Sequence, residues 1–140
     1  MSTLAINTLT GQTSASSINV RGEGSTNTNL QQGLAKAWAN INGTGTPAAR
    51  DSFNVTSITD HATGQLSIVI ANDMNNNEYV AGGIVQRNAS VTENGYISVF
   101  ENNYGNAFAT GSLKLSTTRP DNAADEDMLA VLVTIHGDLA

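Results

Sequence analysis

Arg50-Asp-Ser-Phe-Asn-Val-Thr-Ser-Ile-Thr-Asp-His-Ala-Thr-Gly-Gln-Leu-Ser-Ile-Val-Ile70 is the stretch whose reading decides the fold. Phe53 and Val55 alternate with Ser52, Asn54 and Thr56, and Leu66, Ile68 and Ile70 alternate with Gln65, Ser67 and Val69. A period of two puts the apolar side chains on one face of an extended strand and the polar ones on the other. Ala62-Thr63-Gly64 between the runs reads as a turn. The stretch predicts antiparallel strands with one buried face, and places Phe53, Val55, Leu66 and Ile68 in the core.

The same pattern continues downstream. Asp73–Asn77 is a polar loop before a strand over Tyr79–Gln86, where Gly82-Gly83 predicts a bulge or a close backbone approach. Asn94-Gly95 leads into Tyr96–Glu101, and Ala107–Ser116 carries Leu113 and Leu115 around Lys114. In Met128–His136, Leu129, Val131, Val133 and Ile135 line one face and Leu132 joins the other. That pattern predicts a central strand buried on both sides, with Val131 and Val133 in the core. There is no repeat of solenoid length and no heptad stretch. Six or seven strands with no long helix predict an all-β fold, an antiparallel β-sandwich or jelly roll.

Upstream lies Gly33-Leu-Ala-Lys-Ala-Trp-Ala-Asn-Ile-Asn-Gly-Thr-Gly-Thr46. Leu30, Leu34, Trp38 and Ile41 fall at helical spacing, and the alanines favour helix, so periodicity alone allows a short helix. In a strand, Trp38 shares a face with Leu34, Lys36 and Asn40, opposite Ala35, Ala37, Ala39 and Ile41. A row of small residues there would let another sheet or subunit approach closely. Asn42-Gly43 is a strong turn signal.

The order Ala35-Lys-Ala-Trp38, Gly43-Thr-Gly-Thr46 and Arg50-Asp-Ser-Phe-Asn-Val55 resembles the tip domain at the C-terminal end of phage tail fibres, especially those of marine phages. It is specific over residues 35–60 and loose afterwards. Ile41 stands where that family usually has an aromatic, Pro47-Ala-Ala where it is more β-branched, and Leu66 where Tyr is common. The resemblance implies a non-enzymatic β-sandwich tip that assembles as a homotrimer and meets the host surface. It makes the strand the preferred reading of residues 35–42, with Trp38, Ala35 and Ala37 as subunit-packing residues.

Composition bounds the rest. The chain has 140 residues, a length suited to about one domain, with one Trp, three Tyr and three Phe. So lean an aromatic complement favours burial against further copies. Absence of cysteine excludes disulfides, thiolate metal sites and Cys nucleophiles. A net charge of −6 disfavours nucleic-acid binding, and no apolar run is long enough for a membrane-spanning helix. Met1-Ser-Thr-Leu-Ala has neither the basic start nor the apolar core of an export signal.

Residues 1–32 form a distinct N-terminal arm, followed by a head domain over 33–140. The arm holds one acid, Glu23, and one base, Arg21, among many Ser, Thr, Asn and Gln residues. Its apolar content is too small to order it alone. Leu4, Ile6, Leu9, Ile18 and Val20 are its anchors, and they fit either folding back onto its own domain or docking on a partner by strand addition.

Candidate chemistry is sparse. His61 and His136 are the only histidines, too few for a predicted metal site. A Ser–His–Asp set lacks the Gly-x-Ser-x-Gly elbow. Asp121, Asp125, Glu126 and Asp127 cluster before the last strand; calcium takes such ligands, but the spacing is not that of an EF-hand, and a solvated turn that repels edge pairing fits better. Asn75-Asn76-Asn77, Asn102-Asn103-Tyr104 and Asn106 suit sugar contacts as well as ordinary turns. With no chemistry to set against it, the resemblance to tail-fibre tips implies a virion surface protein with no cofactor, docked to other virion proteins through its arm, with a host glycan as a further partner. The main reading is a tail-fibre-like adhesin. The alternatives are a capsid decoration protein and, less favoured, a carbohydrate-binding module.

Overall fold

The computed structural model describes residues 3–12, 18–21, 24–87, 95–99 and 106–140. They fall into two compact units, Met1–Leu34 and Ala35–Ala140. In the first, residues 3–12 carry neither helix nor strand. β1 (Asn19–Arg21) pairs antiparallel with β2 (Asn27–Asn29), and Arg21 Nε donates to Asn27 Oδ1 at 2.9 Å. A single helical turn, α1 (Leu30–Gly33), follows; Asn29 caps it by accepting from the Gln32 N–H at 3.1 Å. Of the helical spacing from Leu30 to Ile41, only this first turn is helical.

The second unit is an all-β sandwich of antiparallel sheets. Its strands are β3 (Ala37–Asn42), β4 (Ala48–Phe53), β5 (Val55–Ala62), β6 (Gln65–Ile70), β7 (Val80–Gln86), β8 (Tyr96–Val99), β9 (Phe108–Ala109), β10 (Ser112–Thr118) and β11 (Ala130–His136). Sheet I runs β4-β3-β11-β7, and sheet II runs β5-β6-β10-β8, with β9 pairing β10. The first and last strands of the unit are thus direct neighbours at the centre of sheet I, Ile41 opposite Val131 and Ala37 opposite Ile135.

Alternation sets what each sheet turns inward. Sheet I contributes Ala37, Ala39 and Ile41 from β3 and Val131, Val133 and Ile135 from β11; sheet II contributes Leu66, Ile68 and Ile70 from β6 and Leu113 and Leu115 from β10. Met74, Tyr79 and Met128 close the core from the connections, and Tyr79 meets Phe108 edge-on at 5.2 Å between centroids. Burial pushes the Tyr79 hydroxyl up to about 12, against a smaller opposing effect of the Ala109 backbone.

Asn54 is the corner at which the chain changes sheets. Its φ of +56° breaks the strand expected across Arg50–Val55 into β4 on sheet I and β5 on sheet II. Asparagine tolerates that left-handed conformation better than almost any residue except glycine. Its side chain then ties the corner: Nδ2 donates to the Lys36 carbonyl at 2.9 Å and the Asn72 carbonyl at 3.1 Å, and Oδ1 accepts from the Asn72 N–H at 2.8 Å.

Three sequence expectations change in this fold. Leu66, Ile68, Val131 and Val133 are buried and Val55 packs against the core, but Phe53, on the far side of the corner, is 52% exposed. Strand β11 is central, yet its outward Leu132, Thr134 and His136 are only partly covered, so it is not buried on both faces. Gly82 and Gly83 stay in regular register with Thr134 and Val133, with no bulge, and a Cβ on Gly82 would meet nothing within 4 Å.

Candidate functional site

The outward face of sheet I is where this unit departs most from an ordinary polar surface. Register aligns Phe53, Trp38, Thr134 and Gly82 in one row across the four strands, and Asp51, Asn40, Leu132 and Ile84 in the next. Trp38 is 38% exposed and Ile84 69%, and Val80 beyond them is equally open. Between Trp38 and Ile84 the missing side chain of Gly82 leaves a shallow groove of about 570 Å³ with almost wholly apolar walls, floored by Leu132 and Thr134. Contiguous exposed apolar surface of this kind marks an interaction site more often than chance placement does.

The motif that positions this face is itself structural. Asn42 Nδ2 donates to the Thr44 carbonyl at 2.9 Å, Thr44 Oγ1 donates back to Asn42 Oδ1 at 3.0 Å, and Gly45 supplies φ +67°. A register shift between Asn40 and Ile41 leaves Arg50 as an extra residue in β4. Its guanidinium reaches Asn42 Oδ1 at 3.0 Å and the Leu129 carbonyl at 2.6 Å, lacing β4 to β3 and to the start of β11. Gly-Thr-Gly-Thr, Arg50 and Asn54 therefore encode a turn, a bulge and a corner, and they present Trp38 and Phe53 on one side.

The other residues singled out by sequence are dispersed. Trp38 lies on the exposed face. Ala37 is fully buried in its own core and Ala35 is half-buried, so the alanine row faces the second sheet of the same subunit and Ala37 has no surface to offer a neighbour. In the first unit Leu4 is 79% exposed, and Ile6, Leu9 and Val20 are exposed as well; Ile18 is half-buried, and its carbonyl accepts from the Leu30 N–H. Asn75, Asn76, Asn77 and Asn106 are exposed, with Asn76 Oδ1 accepting from the Glu78 N–H. Asn102, Asn103 and Tyr104 lie outside the described residues.

The acidic loop is not a solvated, repelling turn. Asp127 Oδ1 accepts from the Gly64 N–H at 2.7 Å, Asp125 accepts from Gln65 Nε2 at 2.7 Å and from Ser116 Oγ at 2.8 Å, and Glu126 pairs with Arg87 at 2.7 Å. The carboxylates latch this loop onto the β5–β6 turn, across some sixty residues of sequence. Among the described residues no group of three or more His, Cys, Asp or Glu side chains is placed to hold a metal ion.

The two histidines are on different sheets. His136 Nε2 is 3.2 Å from Thr134 Oγ1, and His61 Nε2 is 2.6 Å from Ser67 Oγ. Ser67 is 5% exposed and sits in mid-strand in β6, between β5 and β10, where backbone N–H groups serve the ladders rather than an oxyanion. That geometry serves a structural hydrogen bond between neighbouring strands.

No protein-family model, curated protein or solved structure matches this chain. The site therefore rests on its geometry. Sequence reasoning found Trp38 but missed Phe53, Ile84 and Gly82 as its companions. Gly82-Gly83 was the available signal, since a glycine pair inside an alternating strand also marks a place where a side-chain row is interrupted.

Proposed function

We propose that this chain is a non-enzymatic surface component of a phage virion, a tail-fibre-like tip protein that acts as a homotrimer and is docked to other virion proteins through its first 32 residues. The observation that carries the reading is the apolar outward face of sheet I, with Trp38, Phe53 and Ile84 exposed on a unit whose core is already closed by its second sheet. Such a face is stable in water only at a cost that a protein partner removes. The residues shared with tail-fibre tips support the same reading, because they build the turn and corner that present this face. The jelly-roll chain path, the role of the arm and a host-surface glycan as ligand belong to this proposal.

Capsid decoration is the second reading. It is favoured by the exposed apolar side chains at Leu4, Ile6 and Leu9, which suit docking onto a broad protein surface. Antibody raised against the recombinant chain, applied to purified phage particles whose genome encodes it, tests both. Label at the tail tip is expected; uniform label over the head moves the assignment to decoration, and no label on any particle refutes the virion reading. Sedimentation of the purified protein near neutral pH as a monomer at micromolar concentration refutes the trimer.

A further inference from the structure

Among the described residues of the unit that forms it, none fills the groove between Trp38 and Ile84, and the chain carries a segment of matching chemistry. Residues 1–20 contain no charged side chain, the longest such stretch in a protein of net charge −6. Leu4 and Ile6 within it are 79% and 51% exposed. We infer that the groove receives the Leu4–Leu9 segment of a second copy of this chain, so that neighbouring subunits are joined by exchanged arms. This rests on the proposed docking role of the arm and names its seat.

Charge, area and length favour that occupant. A face-to-face pairing of two copies brings the exposed Asp51 of each rim toward the other acidic subunit, whereas the Leu4–Leu9 segment carries no charged side chain. The open apolar side chains of the face offer on the order of 400 Å², about half of the ~800 Å² a side that a stable interface buries, so the face alone is too small. A bound arm adds its own surface and wraps the patch. Six extended residues reach ~20 Å, and four strands at ~4.8 Å spacing span ~14 Å, so one pass of the arm crosses the sheet. Leu4 and Ile6, two residues apart, point to the same side of an extended segment and fit a groove of about 570 Å³. The almost wholly apolar walls also disfavour a sugar, whose hydroxyls need polar partners. Passing each arm to the next subunit is a head-to-tail contact, which closes into a ring when the rotation permits.

The single tryptophan of the chain lines the groove and is its reporter. Emission of the full-length protein is followed as concentration rises from nanomolar to high micromolar. A blue shift is expected, with its midpoint raised more than about tenfold in the double variant Leu4→Ser, Ile6→Ser. Both side chains are exposed, so an unchanged thermal melt confirms that the variant remains folded. A shift that survives in the variant means that face pairs with face and overturns the inference. No shift at any concentration overturns it too, whether the protein sediments as a monomer or as an oligomer.

The absence of cysteine permits a positional check. Full-length Ile6→Cys and Ile84→Cys chains, mixed and oxidised, are expected to give a disulfide heterodimer in several-fold excess over the yield from Ile6→Cys with Thr56→Cys on sheet II. Equal yields place the arm elsewhere. Either failure leaves attachment of the arm to a different virion protein standing, because that is read by particle labelling and not by self-association.

Discussion

Gly64 and Gly45 share nearly the same backbone conformation, φ +68° and +67°, and differ only in their surroundings. The pair therefore separates the cost of a left-handed residue from the cost of a blocked Cβ. At Gly45 an added Cβ meets nothing within 4 Å, so Gly45→Ala costs only the conformational term, about 1 kcal/mol. At Gly64 the Cβ would lie 2.6 Å from both Glu126 N and the Thr117 carbonyl oxygen, which are backbone atoms and cannot swing aside. Relief requires the β5–β6 turn to draw away from both β10 and the acidic loop. That stretches the bonds from Thr117 N to the Gly64 carbonyl at 2.8 Å and from Gly64 N to Asp127 Oδ1 at 2.7 Å. Losing two such bonds at about 1 kcal/mol each, added to the conformational term, gives about 3 kcal/mol for Gly64→Ala. For a chain of this size the melting temperature falls by roughly 10 °C, against roughly 3–4 °C for Gly45→Ala. Urea unfolding followed by Trp38 emission measures both. Gly45→Asn is expected to recover most of the loss at that position, while Gly64→Asn remains as damaging as Gly64→Ala. Equal destabilisation by the two alanine substitutions would refute the view that the loop is latched against this turn.

Three further outcomes follow from the same structure. Asn54→Gly keeps the corner conformation but loses the side-chain ties to Lys36 and Asn72, and is expected to cost about 1–2 kcal/mol; Asn54→Ala, which loses both, is expected to cost about 2–4 kcal/mol, and matching thermal melts for the two contradict the corner role. Leu66→Ala should cost about 2–4 kcal/mol and Phe53→Ser under ~1 kcal/mol in dilute solution, the order that calorimetry must return if Phe53 faces outward. The Tyr79 hydroxyl ionises more readily in the unfolded chain than in the fold, where burial holds it at about 12. Its stabilising effect is complete below pH ~10 and is lost as pH rises toward 12. Tyr79→Phe is expected to flatten that part of the alkaline stability curve, and ultraviolet phenolate absorbance checks the order of titration.

Strand content was legible because a period of two is written in the side chains themselves, from Gln65–Ile70 to Ala130–His136. The corner was not, because Phe53 and Val55 keep the same spacing across Asn54; only a positive φ reverses their meaning, and alternation carries no record of φ. The acidic loop looked solvated for a different reason. Three of its donors, Gly64, Gln65 and Arg87, are distant in sequence, and a local reading misses them. The groove needed topology: Trp38 and Gly82 are neighbours only because β11 lies between β3 and β7. Trp38 could be singled out from sequence, whereas its setting could not.

The pairing of β3 with β11 also governs how the molecule comes into being. Ile41 meets Val131 only after about 90 intervening residues have been made, and closing a loop of that length costs about 4 kcal/mol of chain entropy before any ladder repays it. Neither outer strand of sheet I pairs with the other, so without that central contact the four-stranded sheet does not exist. The β5–β6 hairpin of sheet II, joined by a short turn, can form while synthesis continues. The apolar face with Trp38 is therefore complete only once β11 has been made. A growing chain has no finished groove to offer, and self-recognition through it waits until the last strand has closed the sheet.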